Sequence, residues 1–230
     1  MDYYRRAEER GAANHGWLKS HHTFSFAHYY DPAHMGFSEL RVINDDWVAP
    51  GRGFDSHSHK NMEIITYVLE GTIEHRDSMG HVSLLKAGQI QRMSAGTGIV
   101  HSEYNASSDL PLRFLQMWIR PAQEGGEPGY ETLTVGSSDG LNTLVTPNGA
   151  DSTLSINQNV ILYRLKLAPG QSQKLKRGAG TGYIHGVSGM AEVDGFSIAD
   201  GDGAGFTESE QEVNVVAGAT GFEALWFSLP

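Results

Sequence analysis

The sequence predicts an all-β protein made of two related sandwich modules in tandem, on three observations. Short β-branched and aromatic runs recur along 230 residues, separated by turns rich in the chain's 28 glycines. No long stretch carries apolar residues at the 3.6-residue spacing of an amphipathic helix. The two halves also carry a faint internal repeat.

The strands read in order as Leu40–Ile43, Glu63–Leu69, Gly71–Arg76, Gln89–Met93 and Leu112–Ile119. A second set follows at Leu154–Ile156, Val160–Leu167, Gly182–Val187, Met190–Val193, Glu212–Val216 and Glu223–Leu229. Asp77-Ser-Met-Gly80 lies between two such runs and reads as a hairpin link. The one place for a short helix is around Asp139–Leu144. For the repeat, Tyr67-Val-Leu-Glu-Gly71, a strand and Gly88 match Tyr183-Ile-His-Gly-Val-Ser-Gly189, a strand and Gly201. Each half ends on an aromatic-rich apolar strand, Phe114–Trp118 and Ala224–Ser228. The expected domains are therefore 1–130 and 131–230, joined in or just after the segment Pro121–Gly129.

Composition narrows the function. With no cysteine, any metal must be held by nitrogen and oxygen ligands. The net charge of -10, with no basic cluster beyond Lys174, Lys176 and Arg177, argues against direct nucleic-acid binding. No apolar run approaches the roughly 20 residues of a membrane span, and Met1–Gly11 lacks the apolar stretch of a secretory signal. A soluble cytoplasmic protein, monomeric by default, is the expectation.

Two segments carry chemistry. In Gly51-Arg-Gly-Phe-Asp-Ser-His57-Ser-His59-Lys-Asn-Met-Glu63, the two histidines are two apart. On a strand they project from one face and can aim at one ion. In Met93-Ser-Ala-Gly-Thr-Gly-Ile-Val-His101-Ser-Glu103-Tyr-Asn105, His101 and Glu103 form a second such pair. Three imidazoles and a carboxylate suit iron, manganese, cobalt, nickel, copper or zinc, and leave two positions of an octahedral ion open. Open positions belong to catalytic sites. Ten of the eleven histidines lie at or before residue 101. The positions matching His57 and His59 in the second half fall near Leu175 and Arg177, and Glu208–Val216 has no histidine, so that module cannot repeat the site. His185 is expected to be a satisfied or exposed histidine.

The first segment resembles the first cupin motif, and the second approximates the other, with Gly88, Gly96, His101 and Asn105 in order. It departs in having Ser94 where cupins usually carry proline, and two extra residues before the histidine. That departure, with Trp17, His22–Phe26, Tyr30–Pro32, Met35–Phe37 and Leu40–Asp46, is similar to the pirin family, strongly over 3–120 and more loosely beyond. The resemblance implies two tandem jelly-roll domains (a bicupin) with one divalent metal ion, iron(II) foremost, in the first. It implies His57, His59, His101 and Glu103 as ligands. In many other cupins the carboxylate comes from the first motif, here Glu63, whose parity also fits; Glu63 is read as orienting a histidine instead. The implied activity is a quercetin 2,3-dioxygenase-like one, on a flavonol-type aromatic enol and dioxygen with loss of carbon monoxide, Glu103 taking the hydroxyl proton. Phe24, Phe26 and Phe54 are candidates for the pocket wall, and His22 is placed at the domain interface. Animal pirins act as nuclear cofactors of transcription factors, so a redox-responsive interaction protein is the alternative.

Overall fold

The computed structural model describes residues 1–177, 180–207 and 212–230. The first-half strands are β1 (Tyr3–Arg5), β2 (Gly11–Asn14), β3 (Leu18–His22), β4 (Leu40–Val48), β5 (Gly53–His59) and β6 (Glu63–Glu70). They continue as β7 (Thr72–Asp77), β8 (Val82–Lys86), β9 (Gln89–Ser94), β10 (Ile99–Asn105), β11 (Leu112–Ile119) and β12 (Gly129–Thr134). The second half holds β13 (Gly140–Thr146), β14 (Leu154–Ser155), β15 (Ile161–Leu167), β16 (Ser172–Lys176), β17 (Thr181–Val193), β18 (Phe196–Ala199), β19 (Gly203–Phe206) and β20 (Glu212–Leu229).

In the first module a seven-stranded sheet, β12-β9-β6-β11-β4-β3-β2, packs against a four-stranded sheet, β5-β10-β7-β8. Leu18, Val48, Val68 and Phe114 of the larger sheet meet Ile73 and Leu85 of the smaller one. The large sheet is buried on both faces. Its outer face, with Ile43, Ile65, Ile90, Leu115 and Met117, joins Leu162, Tyr183, Leu225 and Phe227 in a core shared between the modules. Two-sided burial removes the polar–apolar alternation a one-sided sheet shows, so β6 and β11 read as continuous apolar runs.

The second module is one nine-stranded sheet curled around its own core. Its long strands β17 and β20 shift register at Gly186/Ser188 and Gly189/Ala191, so each runs through what read as two separate strands. Leu175 is fully buried there, and Arg177 is buried too. The positions expected to match His57 and His59 thus hold an apolar side chain and an arginine, both buried.

The segment Asp139–Leu144 is not a helix. Gly140–Thr146 pairs antiparallel with β15, and a register shift between Thr143 and Val145 turns both Leu144 and Val145 inward. That bulge produces the i, i+3, i+4 apolar spacing that imitates a helix. The segment Gly129–Thr134 straddles residue 130 and pairs with β9 as part of the first sheet, so the crossing between sheets falls at 135–139. The N-terminus crosses the other way, β1 pairing with β19. Of the histidine-free stretch Glu208–Val216, positions 208–211 lie outside the described residues.

His185 is neither exposed nor satisfied: it is fully buried, and neither ring nitrogen has a hydrogen-bond partner. Burial first, then Arg10 and Arg113, pushes it down to about 3 from an ordinary 6.5. The unfolded chain takes up this proton near 6.5 and the folded chain near 3. The stabilisation is therefore whole above about 6.5 and is lost as the pH falls towards 3. From pH 7.5 to 5, urea unfolding of the parent should lose about 2 kcal/mol more than unfolding of His185→Leu. Equal losses would contradict this.

The Gly96-Thr-Gly98 turn leads β9 into β10 and so aims His101. Gly96 has φ +49°, and a Cβ there would lie 2.1 Å from the Gly126 carbonyl oxygen. Gly96→Ala should lower unfolding free energy by about 2–4 kcal/mol, since backbone must move; a change under about 0.5 kcal/mol would show that the turn relaxes freely.

Candidate metal centre

The pairing of β5 with β10 builds the site. His101 lies opposite His57, and Ile99 opposite His59. Between His101 and Glu103 the register shifts, Glu103 facing Phe54, so β5 carries one extra residue in a bulge. Bulges re-aim side chains beside functional sites. The bulge frees the Asp55 carbonyl to accept a 2.7 Å hydrogen bond from His57 Nδ1. That bond fixes the tautomer and leaves His57 Nε2 with its lone pair bare.

The ring centroids of His57, His59 and His101 lie 4.8, 4.4 and 4.9 Å apart, and one ring nitrogen from each falls within 4.8 Å of the others. Burial above all, then neighbouring histidines, pushes His59 down to about 4 and His101 down to about 3. Both are neutral at pH 7. His101 is buried, and neither of its ring nitrogens has a hydrogen-bond partner. Buried polar atoms left without partners are rare.

Glu103 is also buried, at the edge of this cluster. A ligand atom of it lies within 4.8 Å of His101 and of His75, a second overlapping group. Its Oε1 accepts from Gln91 Nε2 (3.0 Å) and Thr66 Oγ1 (3.4 Å), and its Oε2 from Gln116 Nε2 (2.8 Å). Each glutamine is itself oriented: Tyr130 Oη donates to Gln91 Oε1 at 2.8 Å, and Trp118 Nε1 to Gln116 Oε1 at 3.1 Å. Behind them His75 shares a 3.2 Å hydrogen bond with Asp77 and stacks on Tyr130.

A cavity of about 730 Å³ opens beside the cluster, lined by His57, His59 and Glu103 together with Trp17, Phe26, Phe54 and Trp118. Such a volume suits a ligand of drug-like size. Phe26 and Phe54 stand where the wall was expected. Phe24 does not: it packs against Tyr3 and Tyr183 in the shared core. His22 lines the cavity rather than the domain interface. Glu63 does not orient a histidine. Ser94 Oγ (2.8 Å) and Asn157 Nδ2 (3.0 Å) occupy its two oxygens, and Asn157 comes from the second module, so Glu63 ties the modules together.

Sequence reading missed His75, Gln91 and Gln116. Signals existed for two of them: His75 and Asp77 are two apart on one strand, and Gln116 interrupts the apolar run Phe114–Trp118. An amide there has no structural reason unless a polar group faces it.

The two locked amides predict a specific outcome. In Glu103→Gln a third amide would face donors on both sides, and neither neighbour can flip without losing its aromatic donor. Urea unfolding of the metal-free variant should show a loss of about 1–3 kcal/mol, partly recovered by adding Trp118→Phe, which lets Gln116 turn over. No recovery would mean that Trp118 does not set the amide.

Comparison with known proteins accords with this arrangement. The family model described as Pirin matches residues 4–119, and that of a quercetinase C-terminal cupin domain matches 143–229. The chain is 46% identical to the quercetin 2,3-dioxygenase of Escherichia coli K12, over 100% of this chain and 99% of that protein. It is 40% identical to a pirin-like protein of Caulobacter vibrioides, covering 87% of this chain and 88% of that one. The crystal structure of E. coli YhhW in complex with nickel(II) superposes with a TM-score of 0.95 at 46% identity, covering 99% and 98% of the two chains. By full-length identity and by both family models, the chain belongs to the pirin family, with two cupin-type domains.

Proposed function

We propose that His57, His59, His101 and Glu103 hold one divalent transition-metal ion, and that the chain is a dioxygenase of flavonol-type enols. The observation that carries this is His101: a buried imidazole with no hydrogen-bond partner, within reach of two more imidazoles that themselves line a large aromatic-walled cavity. Burying such a ring unpaired is unfavourable unless something takes its lone pair. Neutral imidazoles and a carboxylate accept first-row divalent ions from manganese to zinc, and the E. coli relative was solved with nickel(II). Its name, quercetin 2,3-dioxygenase, supports the substrate class.

An ion held there would acidify an enol hydroxyl and gather enol and dioxygen at one centre. The protein's own part is then definable. Glu103 takes the hydroxyl proton as general base. Gln91, Thr66 and Gln116 hold its carboxylate at the cavity edge, oriented for that transfer. Trp17, Phe26, Phe54 and Trp118 flank the flat ligand and exclude water. Loss of the proton leaves an electron-rich enolate that dioxygen oxidises. Two ring carbon–carbon bonds break, both oxygen atoms enter the opened product, and the carbon between leaves as carbon monoxide.

Aerobic quercetin with metal-loaded protein should lose its flavonol absorbance and release carbon monoxide in equal amounts. Glu103→Ala should lower turnover at least 100-fold. No turnover with manganese, iron, cobalt, nickel or copper would remove the dioxygenase reading. Metal content should fall in His57→Ala, His101→Ala and Glu103→Ala and persist in Glu63→Ala; the reverse for the two glutamates would overturn the ligand set.

A further inference from the structure

The inner face of the seven-stranded sheet carries an unbroken polar row. His22 pairs with Asn44, Asn44 with Gln116, Gln116 with Thr66, and Thr66 with Gln91, across five adjacent strands. One row along, Ser20 pairs with Asp46. Successive inward positions are about 7 Å apart, so these rows make a polar belt across a barrel whose ends are apolar.

Half of this belt is accounted for: Gln91, Thr66 and Gln116 serve Glu103. The other half serves no group described so far. Ser20, His22, Asn44 and Asp46 are all buried, and all four line the cavity on the β3–β4 side. Their bonds to one another are few: His22 Nδ1 to Asn44 Oδ1 at 2.8 Å, Ser20 Oγ to His22 Nδ1 at 3.3 Å, and Ser20 to Asp46. Because an amide oxygen only accepts, His22 Nδ1 carries the proton and Nε2 is an acceptor. Burial before all else pushes Asp46 up to about 7, with Asp45 and Glu103 adding to the effect. It is therefore part protonated at neutral pH, able to donate as well as accept. Phe54 of the smaller sheet lines the same cavity, and Trp118 stands beside the strip on β11, two residues from Gln116. Replacing four inward polar groups by apolar ones would suit a barrel core better, unless a ligand uses them.

We propose that Ser20, His22, Asn44 and Asp46 form a second recognition subsite that reads hydroxyl groups on the far ring of a planar aromatic ligand. The ligand enters with its enol towards His57, His59 and Glu103, its rings between the aromatic side chains, and its distal hydroxyls on the strip. A hydroxyl both donates and accepts, matching the His22 acceptor and the Asp46 carboxyl. The substrate class narrows from any enol to polyhydroxylated two-ring aromatics. This inference rests on reading the cavity as the substrate site.

The test is equilibrium binding rather than turnover. Quercetin and galangin, the same flavonol with a bare second ring, are titrated into nickel-loaded protein under nitrogen, read by tryptophan quenching. The parent should prefer quercetin by about 10-fold or more, as one or two well-made hydrogen bonds require. In Asp46→Ala, and independently in Ser20→Ala and His22→Phe, the preference should fall below about 3-fold, with folding checked by thermal melts. Equal binding of the two flavonols by the parent would overturn the subsite, as would variants that retain the full preference. A protein that prefers quercetin but turns neither over keeps the subsite and loses the dioxygenase reading. One that turns both over without preference does the opposite.

Discussion

The candidate site depends on one register: the antiparallel pairing that sets His101 opposite His57, with one extra residue on β5 before Glu103 meets its partner strand. In a strand every side chain changes face with a one-residue slip. Slipping β5 against β10 would turn His57 and His59 outward together, and no local adjustment could restore them. The register is pinned at both ends. The tight Gly96–Gly98 turn delivers β10, and Gly53 packs so closely that a Cβ would meet the Glu103 carbonyl oxygen at 2.3 Å.

Around that register the first module divides its interior by chemistry. Leu18, Val48, Val68, Leu85 and Phe114 close one end of the barrel, and Ile64, Met93 and Ile99 the other. Between them runs the polar belt. Buried polar groups are tolerated where each finds a partner, and they rigidify what they surround. Here the partners converge on Glu103 and its two glutamines, each fixed by an aromatic donor. The second module spends the same volume on Leu165, Leu175, Ile184 and Trp226, so it is a filled core. Its sheet also closes the outer face of the seven-stranded sheet, which would otherwise expose a wide apolar surface.

Much of this was legible in the residues. Strand runs, glycine turns and the lack of helical period gave the fold class. The spacing of His57 with His59, and of His101 with Glu103, gave two convergent pairs. What stayed hidden came from contacts distant in the chain. Leu141, Leu144 and Val145 imitate a helix because a bulge places two neighbours on one side. Glu63 matches His57 and His59 in sequence parity, yet on β6 it shares the outer face with Ile65, where Ser94 and Asn157 claim it, and Asn157 lies 94 residues away. Phe24 and His22 exchanged expected surroundings, because β3 ends at His22 and Phe24, two residues further on, no longer keeps the parity of the strand. The row from His22 to Gln91 joins five strands and exists only once they are paired.

The most direct test of the central claim is anomalous diffraction from crystals of the protein soaked in cobalt(II) or nickel(II). The account predicts one strong peak in the first module, within bonding distance of His57, His59, His101 and Glu103, and none in the second. A peak coordinated instead by His75 or Glu63, or no peak between the three histidines, would contradict it.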